Sequence, residues 1–189
     1  RDRIELLKAE IEFDAEVEII DPKTDDESER KDAYANVYWK QRKRRGITLQ
    51  TARSLMRERN YFAAMMVNEG DADALISGYS KNYPTVVKPM LELIGLDKGA
   101  TRIATTNLLM TERGPMFLSD TSINIDPSAK DLAKIAQMTA TTVKMFGLEP
   151  VIAMISFSNF GSSSSEKASK VREAVTFLHR YSPDLIVDG

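Results

Sequence analysis

Six serines and one glycine fall within SFSNFGSSSS, residues 156 to 165, directly after the apolar run PVIAMI. A serine-rich loop that runs into a helix offers hydroxyl donors and free backbone N–H groups, and the helix dipole favours an anion there. Gly161 lets the backbone approach such a ligand closely. No Gly-Lys-Ser/Thr occurs in the loop, so it is not a Walker-type nucleotide loop. The simpler alternative is that Ser163 or Ser164 only caps the following helix. The residues alone leave both readings open. The second feature is KQRKRRG, residues 40 to 46, with five cations in seven positions. Such a run can hold the phosphates of an anionic ligand. It can equally offset a helix C-terminal dipole while its arginine stems lie over apolar surface. His179 is the single histidine and stands at a helix end. It reads as a dipole-compensating surface residue rather than a general base, because no Ser-His-Asp spacing accompanies it. The acidic residues are scattered, and no pair among them demands a metal.

These residues need elements to position them. Ile4, Leu7 and Ile11 at helical spacing predict a helix over 2–12. VEIID, 17–21, reads as a short strand, and PKTDDESER as a polar loop. A helix is expected from Lys31 to Arg45, ended by Gly46. Thr48 can cap the next helix, TLQTARSLMRERN, which continues through YFAAMMVNEG to Gly70. ADALISG, 72–78, is expected as a buried strand, and SKNYPTVV as a loop into a helix that ends near Gly95. TRIATTNLLMTE and PMFLSDTSI flank Arg113-Gly114 and predict a hairpin. Asp126 is expected to cap a helix with Pro127 at its first position, with Leu132, Ile135, Ala136 and Val143 on one face and a stop at Gly147. PVIAMISF is a continuous apolar run, as in a strand covered on both faces. SEKASKVREAVTFLHRYSP and DLIVDG give the last helix and strand.

This alternation implies an α/β fold with βαβ units. It places the serine loop between a strand and a helix, where such folds carry ligands, rather than in an interdomain linker. Ligands of open α/β sheets bind beyond the carboxyl ends of the strands. Those ends read Ser77-Gly78, Ser119-Asp120, Ser156 to Ser165, and Asp188-Gly189. Tyr34, Tyr38 and Trp39 in AYANVYW either fill a core or form a subunit interface. Met65 and Met66 read as core filler.

Apolar residues make up 42% and charged residues 29% of the 189 positions, enough for a sizeable core. The net charge of −2 argues against a nucleic-acid partner. With no cysteine, disulfides and thiolate metal sites are excluded, which suits a cytoplasmic location. No apolar run approaches the roughly 20 residues that span a bilayer, so no membrane partner is expected. The chain opens inside an amphipathic pattern and stops where a strand ends. It is therefore expected to be a piece of a longer one.

The stretches VEIIDPKT, YWKQRKRRGITLQTAR, YFAAMMVNEGDADALISG, FLSDTSINIDPSAKDLAKIA, FGLEPVIAMISFSNFGSS and SPDLIVDG resemble, in order, the phosphate acetyl/butyryl transferase family. The finer resemblance is to the transferase-like carboxyl-terminal half of bacterial NADP-dependent malic enzymes, because Asn159-Phe160 stands where free-standing phosphotransacetylases carry Thr-Lys. The resemblance implies mostly parallel sheets flanked by helices, as a fragment of a two-lobed fold. Residues 1–70 would belong to the first lobe and 71–189 to the second. It also implies acetyl-CoA or a related acyl-CoA as ligand. Arg42 takes the place of a family arginine that helps to hold CoA, with Arg45 beside it, and Lys88 replaces a second arginine. Ser77, Gly78, Ser156, Ser158, Asn159, Gly161 and Ser162 complete the implied ligand set. The family's late catalytic segment, with NDLSRG, does not occur in this chain, so no catalytic residue is assigned to it. The implied role is that of a non-catalytic regulatory and oligomerisation module, at least dimeric. The malate-decarboxylating half, with NADP and Mg or Mn, would lie outside. The alternative is a fragment of an active phosphate acetyltransferase.

Overall fold

The computed structural model describes residues 2–79, 81–96, 100–158 and 162–189. Two compact units form, Arg1–Asp97 and Lys98–Gly189. Residues 71–79 and 81–96 fall within the first unit.

The described elements of the first unit are all helical. They are α1 (Asp2–Glu10), α2 (Ser28–Arg42), α3 (Leu49–Leu55), α4 (Arg59–Glu69) and α5 (Tyr83–Leu93), with short 3-10 turns at Asp25–Glu27 and Lys43–Arg45. The core is aromatic. Tyr34 and Tyr38 of α2 are buried with Met56, with Tyr61, Phe62 and Met65 of α4, and with Leu93 of α5. Tyr34 meets Phe62 at a 5.3 Å ring separation, and Tyr38 meets Tyr61 edge-on at 5.7 Å. Tyr34 and Tyr38 therefore fill the core, and Trp39 packs half-buried against it. Gly46, at φ +86°, closes the Lys43–Arg45 turn in the left-handed region that favours glycine. Thr48 caps α3 by accepting from the Thr51 N–H at 3.1 Å. The long helix read through Gly70 is broken at 56–58: Met56 turns fully inward, and Glu58 adopts an extended conformation before α4.

Two expected strands do not form. Residues 17–21 and 72–78 are irregular, since a strand exists only through a hydrogen-bonded neighbour. Ile20 and Leu75 still pack on the core, whereas Ile76 is 97% exposed.

The second unit holds the hairpin β1 (Thr106–Thr111) and β2 (Gly114–Ser119), then α6 (Ala129–Met145), β3 (Val151–Ala153), α7 (Glu166–Tyr181) and β4 (Ile186–Asp188). The hairpin is antiparallel, with Thr106 opposite Ser119 and Thr111 opposite Gly114. β3 and β4 are parallel around α7, which makes one βαβ unit. Ala133, Ala136, Leu178 and Val187 form its core, with Ile152 and Met154 against them. The apolar run at β3 is covered on one face only: Val151 is 75% exposed and Ile155 80%. The cap of α6 is Ser128, not Asp126. Ser128 and Asp131 satisfy each other's backbone N–H in a capping box, while Asp126 turns away to pair with Lys170 at 2.6 Å. Among the described residues, no helix is long and apolar enough to cross a membrane.

Candidate functional site

In the first unit Lys40, Lys43, Arg44 and Arg45 of the basic run are exposed, and Arg42 alone is drawn inward. Lys43 lies over the Trp39 ring at 5.2 Å, and Arg45 stands exposed. Arg42, at the end of α2, turns inward: its side chain is only 15% exposed, and Nη2 donates to Glu92 Oε1 of α5 at 3.1 Å. The other carboxylate oxygen, Oε2, accepts from Tyr38 OH at 2.9 Å and from Tyr61 OH at 2.8 Å. Three helices thus converge on one carboxylate. Arg42 Nε is buried without a hydrogen-bond partner among the described residues. An unmet buried donor of this kind costs about 1–3 kcal/mol.

The electrostatics follow from this packing. Burial alone would push the Glu92 carboxyl up. The hydrogen bonds from Tyr61 and Tyr38 and the charges of Arg42 and Lys88 outweigh that and hold it below the ordinary value. The Tyr38 hydroxyl is pushed up to about 12 by burial and then by its bond to Glu92. Tyr61 is raised for the same two reasons. Lys88 is exposed on α5, one turn before Glu92, so two of the expected ligand cations share one counter-ion.

Ser77 and Gly78 are held differently. Pro89 lies inside α5 and has no N–H for the Thr85 carbonyl one turn earlier. Asn60 Nδ2 of α4 reaches that carbonyl at 3.4 Å, and Asn60 Oδ1 accepts from Ser77 Oγ at 2.8 Å. Gly78, at φ +126°, follows in a conformation that side chains disfavour. Sequence reasoning missed Glu92, Tyr61 and Asn60. Glu92 had one signal: a lone acid in the apolar stretch MLELI, four residues after Lys88.

The serine loop of the second unit is tied to itself. Ser156 Oγ donates to the Ser158 carbonyl at 3.0 Å and accepts from the Ser158 N–H at 3.1 Å. Ser158 Oγ lies 3.3 Å from Ser162 Oγ and accepts from the Ser163 N–H at 3.2 Å. Asn159 and Gly161 lie outside the described residues. The cap of α7 is Ser165, which accepts from the Ala168 N–H at 3.3 Å, and neither Ser163 nor Ser164 takes that place. Ser163 instead steadies the cap, through its Oγ, which accepts from the Ser165 N–H. Beside the loop, an apolar groove of about 710 Å³ runs between β2, α6 and β3. At its edge Ser119 and Asp120 end β2. Asp120 sits at φ +61°, its carboxylate accepting from Asn124 at 2.9 Å. His179 is exposed, with Nε2 2.9 Å from the Val187 carbonyl, so it ties α7 to β4.

The arrangement offers cations and a Ser-Gly loop in one unit and a serine cradle before a helix in the other. These are groups for holding anions. Among the described residues, no cluster of three or more His, Asp or Glu could hold a metal.

The family model described as phosphate acetyl/butaryl transferase matches residues 1–189. The NADP-dependent malic enzyme of Salmonella typhimurium is 37% identical over 188 residues, 99% of this chain and 24% of that protein. The phosphate acetyltransferase of Synechocystis sp. is 35% identical over 175 residues, 93% of this chain and 25% of that protein. A crystal structure of a phosphotransacetylase from Streptococcus pyogenes superposes with a TM-score of 0.78 at 35% identity, covering all of this chain and 57% of that one. The chain thus spans about a quarter of the length of these curated relatives.

Proposed function

The chain belongs to the phosphate acetyl/butyryl transferase family, and from that premise we propose that it is a regulatory, acyl-CoA-binding and assembly module of an NADP-dependent malic enzyme. The observation that carries the reading is the match to the Salmonella malic enzyme, which runs through 188 residues as one block within a much longer protein. The loop agrees with it, because Asn159-Phe160 replaces the Thr-Lys pair of free-standing phosphotransacetylases. Acetyl-CoA is the ligand in this reading. Its phosphates are anionic groups suited to Arg42, Arg45 and Lys88 of the first unit, and within the second unit the serine loop offers hydroxyl and backbone donors to an anion. NADP and a divalent metal would be held by the part of the parent protein outside residues 1–189, which would work in the cytoplasm as at least a dimer. Effector binding can act at a distance only if the ligand prefers one of two states of the assembly.

A second reading keeps its own support. The Synechocystis phosphate acetyltransferase is related at nearly the same identity, so the segment can equally come from an active transacetylase. One pair of assays on the parent protein decides. The regulatory reading expects acetyl-CoA to change the rate of malate oxidation and expects no acetyl-CoA to form from acetyl phosphate and CoA. Robust transfer of the acetyl group would overturn it in favour of the transacetylase.

A further inference from the structure

We propose that Glu92 is a built-in competitor for the anion at Arg42: in the free protein its carboxylate occupies the guanidinium edge that a ligand phosphate would take, and so it sets how tightly that phosphate binds. Placing a phosphate at Arg42 rests on the acyl-CoA reading above; the competition itself rests on geometry.

The Arg42–Glu92 pair joins α2 to α5 through one N–H, not two, at 3.1 Å. A guanidinium facing a carboxylate can form two parallel bonds. Here Nε is left buried and unmatched. The pairing is therefore incomplete on the arginine side. It is complete on the glutamate side, where Tyr38 and Tyr61 supply the remaining bonds to Oε2. The tyrosines hold Oε2, so even when an anion displaces Oε1 from Arg42 the negative charge stays beside it. An incoming phosphate meets a cation whose charge is already matched, with a fixed negative charge beside it. Lys88 belongs to the same balance: it faces Glu92 along α5 and contributes to keeping the carboxyl ionised. Two cations around one fixed anion leave a net charge of about +1. Removing the anion would raise it to about +2 without adding any contact to the ligand.

The test is calorimetric titration of the chain at low ionic strength with inorganic pyrophosphate and, separately, acetyl-CoA. Glu92→Gln keeps the size of the side chain and removes its charge, and should bind pyrophosphate about tenfold more tightly than the unmodified chain. Glu92→Asp keeps the charge but draws it back from Arg42, and should give a smaller gain, about threefold. Tyr34→Phe perturbs the same core without touching Glu92, and should leave the affinity unchanged even where it lowers the melting temperature. Equal or weaker pyrophosphate binding by Glu92→Gln, or no detectable binding by any form, overturns the proposal. Tighter pyrophosphate binding with no acetyl-CoA binding in any form upholds the competition and removes the acyl-CoA reading. Acetyl-CoA binding with no gain for Glu92→Gln does the reverse.

Discussion

The two units hold their polar groups in opposite ways. In the first, Arg42 is fixed by Glu92 of α5, 50 residues away along the chain, and that carboxylate also accepts from Tyr38 of α2 and Tyr61 of α4. In the second, the serines at 156, 158 and 163 are fixed mainly by bonds that close within the same loop, with one bond from Arg172 of α7 to the Ser163 carbonyl at 3.3 Å. The first arrangement is built by the packing of a core and shares its fate. The second is local and can persist while the core around it is altered. The groups of the first unit should therefore be breakable from a distance, and those of the second mainly from within.

The largest effect should come from Phe62→Ala. Phe62 is 2% exposed among the aromatics of the first unit. Its loss should cost about 3–5 kcal/mol in denaturant unfolding of that unit. Hydrogen exchange should show the serine loop and α7 protected as before. Loss of protection in both units would contradict the separation.

Next, Glu92→Ala strands a largely buried guanidinium and two tyrosine hydroxyls, a change worth roughly 3 kcal/mol. The same truncation at Asp126, an exposed partner of Lys170, should be almost silent in the same unfolding curves.

Alkaline pH should weaken the first unit selectively. A tyrosine whose folded value is raised stays neutral in the folded state while the unfolded chain ionises near 10. Stability is then complete below pH 10 and is lost as pH rises towards about 12, the folded value of Tyr38. The loss approaches about 1.4 kcal/mol per pH unit for each such tyrosine. Glu92 has the opposite sense: its lowered value means that stability present above the ordinary carboxyl value is lost as pH falls through the folded one. Unfolding of Tyr38→Phe across pH 9 to 12 should show a shallower decline.

Ser128→Ala removes one half of a capping box and should cost about 1 kcal/mol, confined to the second unit.

The same contrast explains what could be read from the sequence. The helices of both units, apart from the break between α3 and α4, were visible as periodicity and turn chemistry, as were the hairpin, the βαβ pair and the Thr48 cap. The cap of α6 was misplaced by two residues because Asp126-Pro127 and Ser128 both carry start signals, and the reciprocal bond between Ser128 and Asp131 favours the latter. Residues 17–21 and 72–78 carry strand-like composition, but composition does not supply a neighbouring strand. The serine loop was legible as a loop between strand and helix, but its cap was misplaced, because Ser165 rather than Ser163 or Ser164 accepts from the Ala168 N–H. The role of Glu92 was not, because Tyr38, Arg42 and Tyr61 reach it only after three helices have packed.

The most direct measurement is the affinity of acetyl-CoA for the parent protein with Arg42→Ala and, in parallel, with Lys88→Ala, whose exposed position spares the core. A charge-assisted contact to phosphate is worth about 1.5–3 kcal/mol. Arg42→Ala should therefore weaken binding about ten- to a hundredfold, and Lys88→Ala should weaken it by a smaller factor with the melting temperature unchanged. Superimposable titration curves for the unmodified protein and both variants would place the ligand elsewhere and contradict the account.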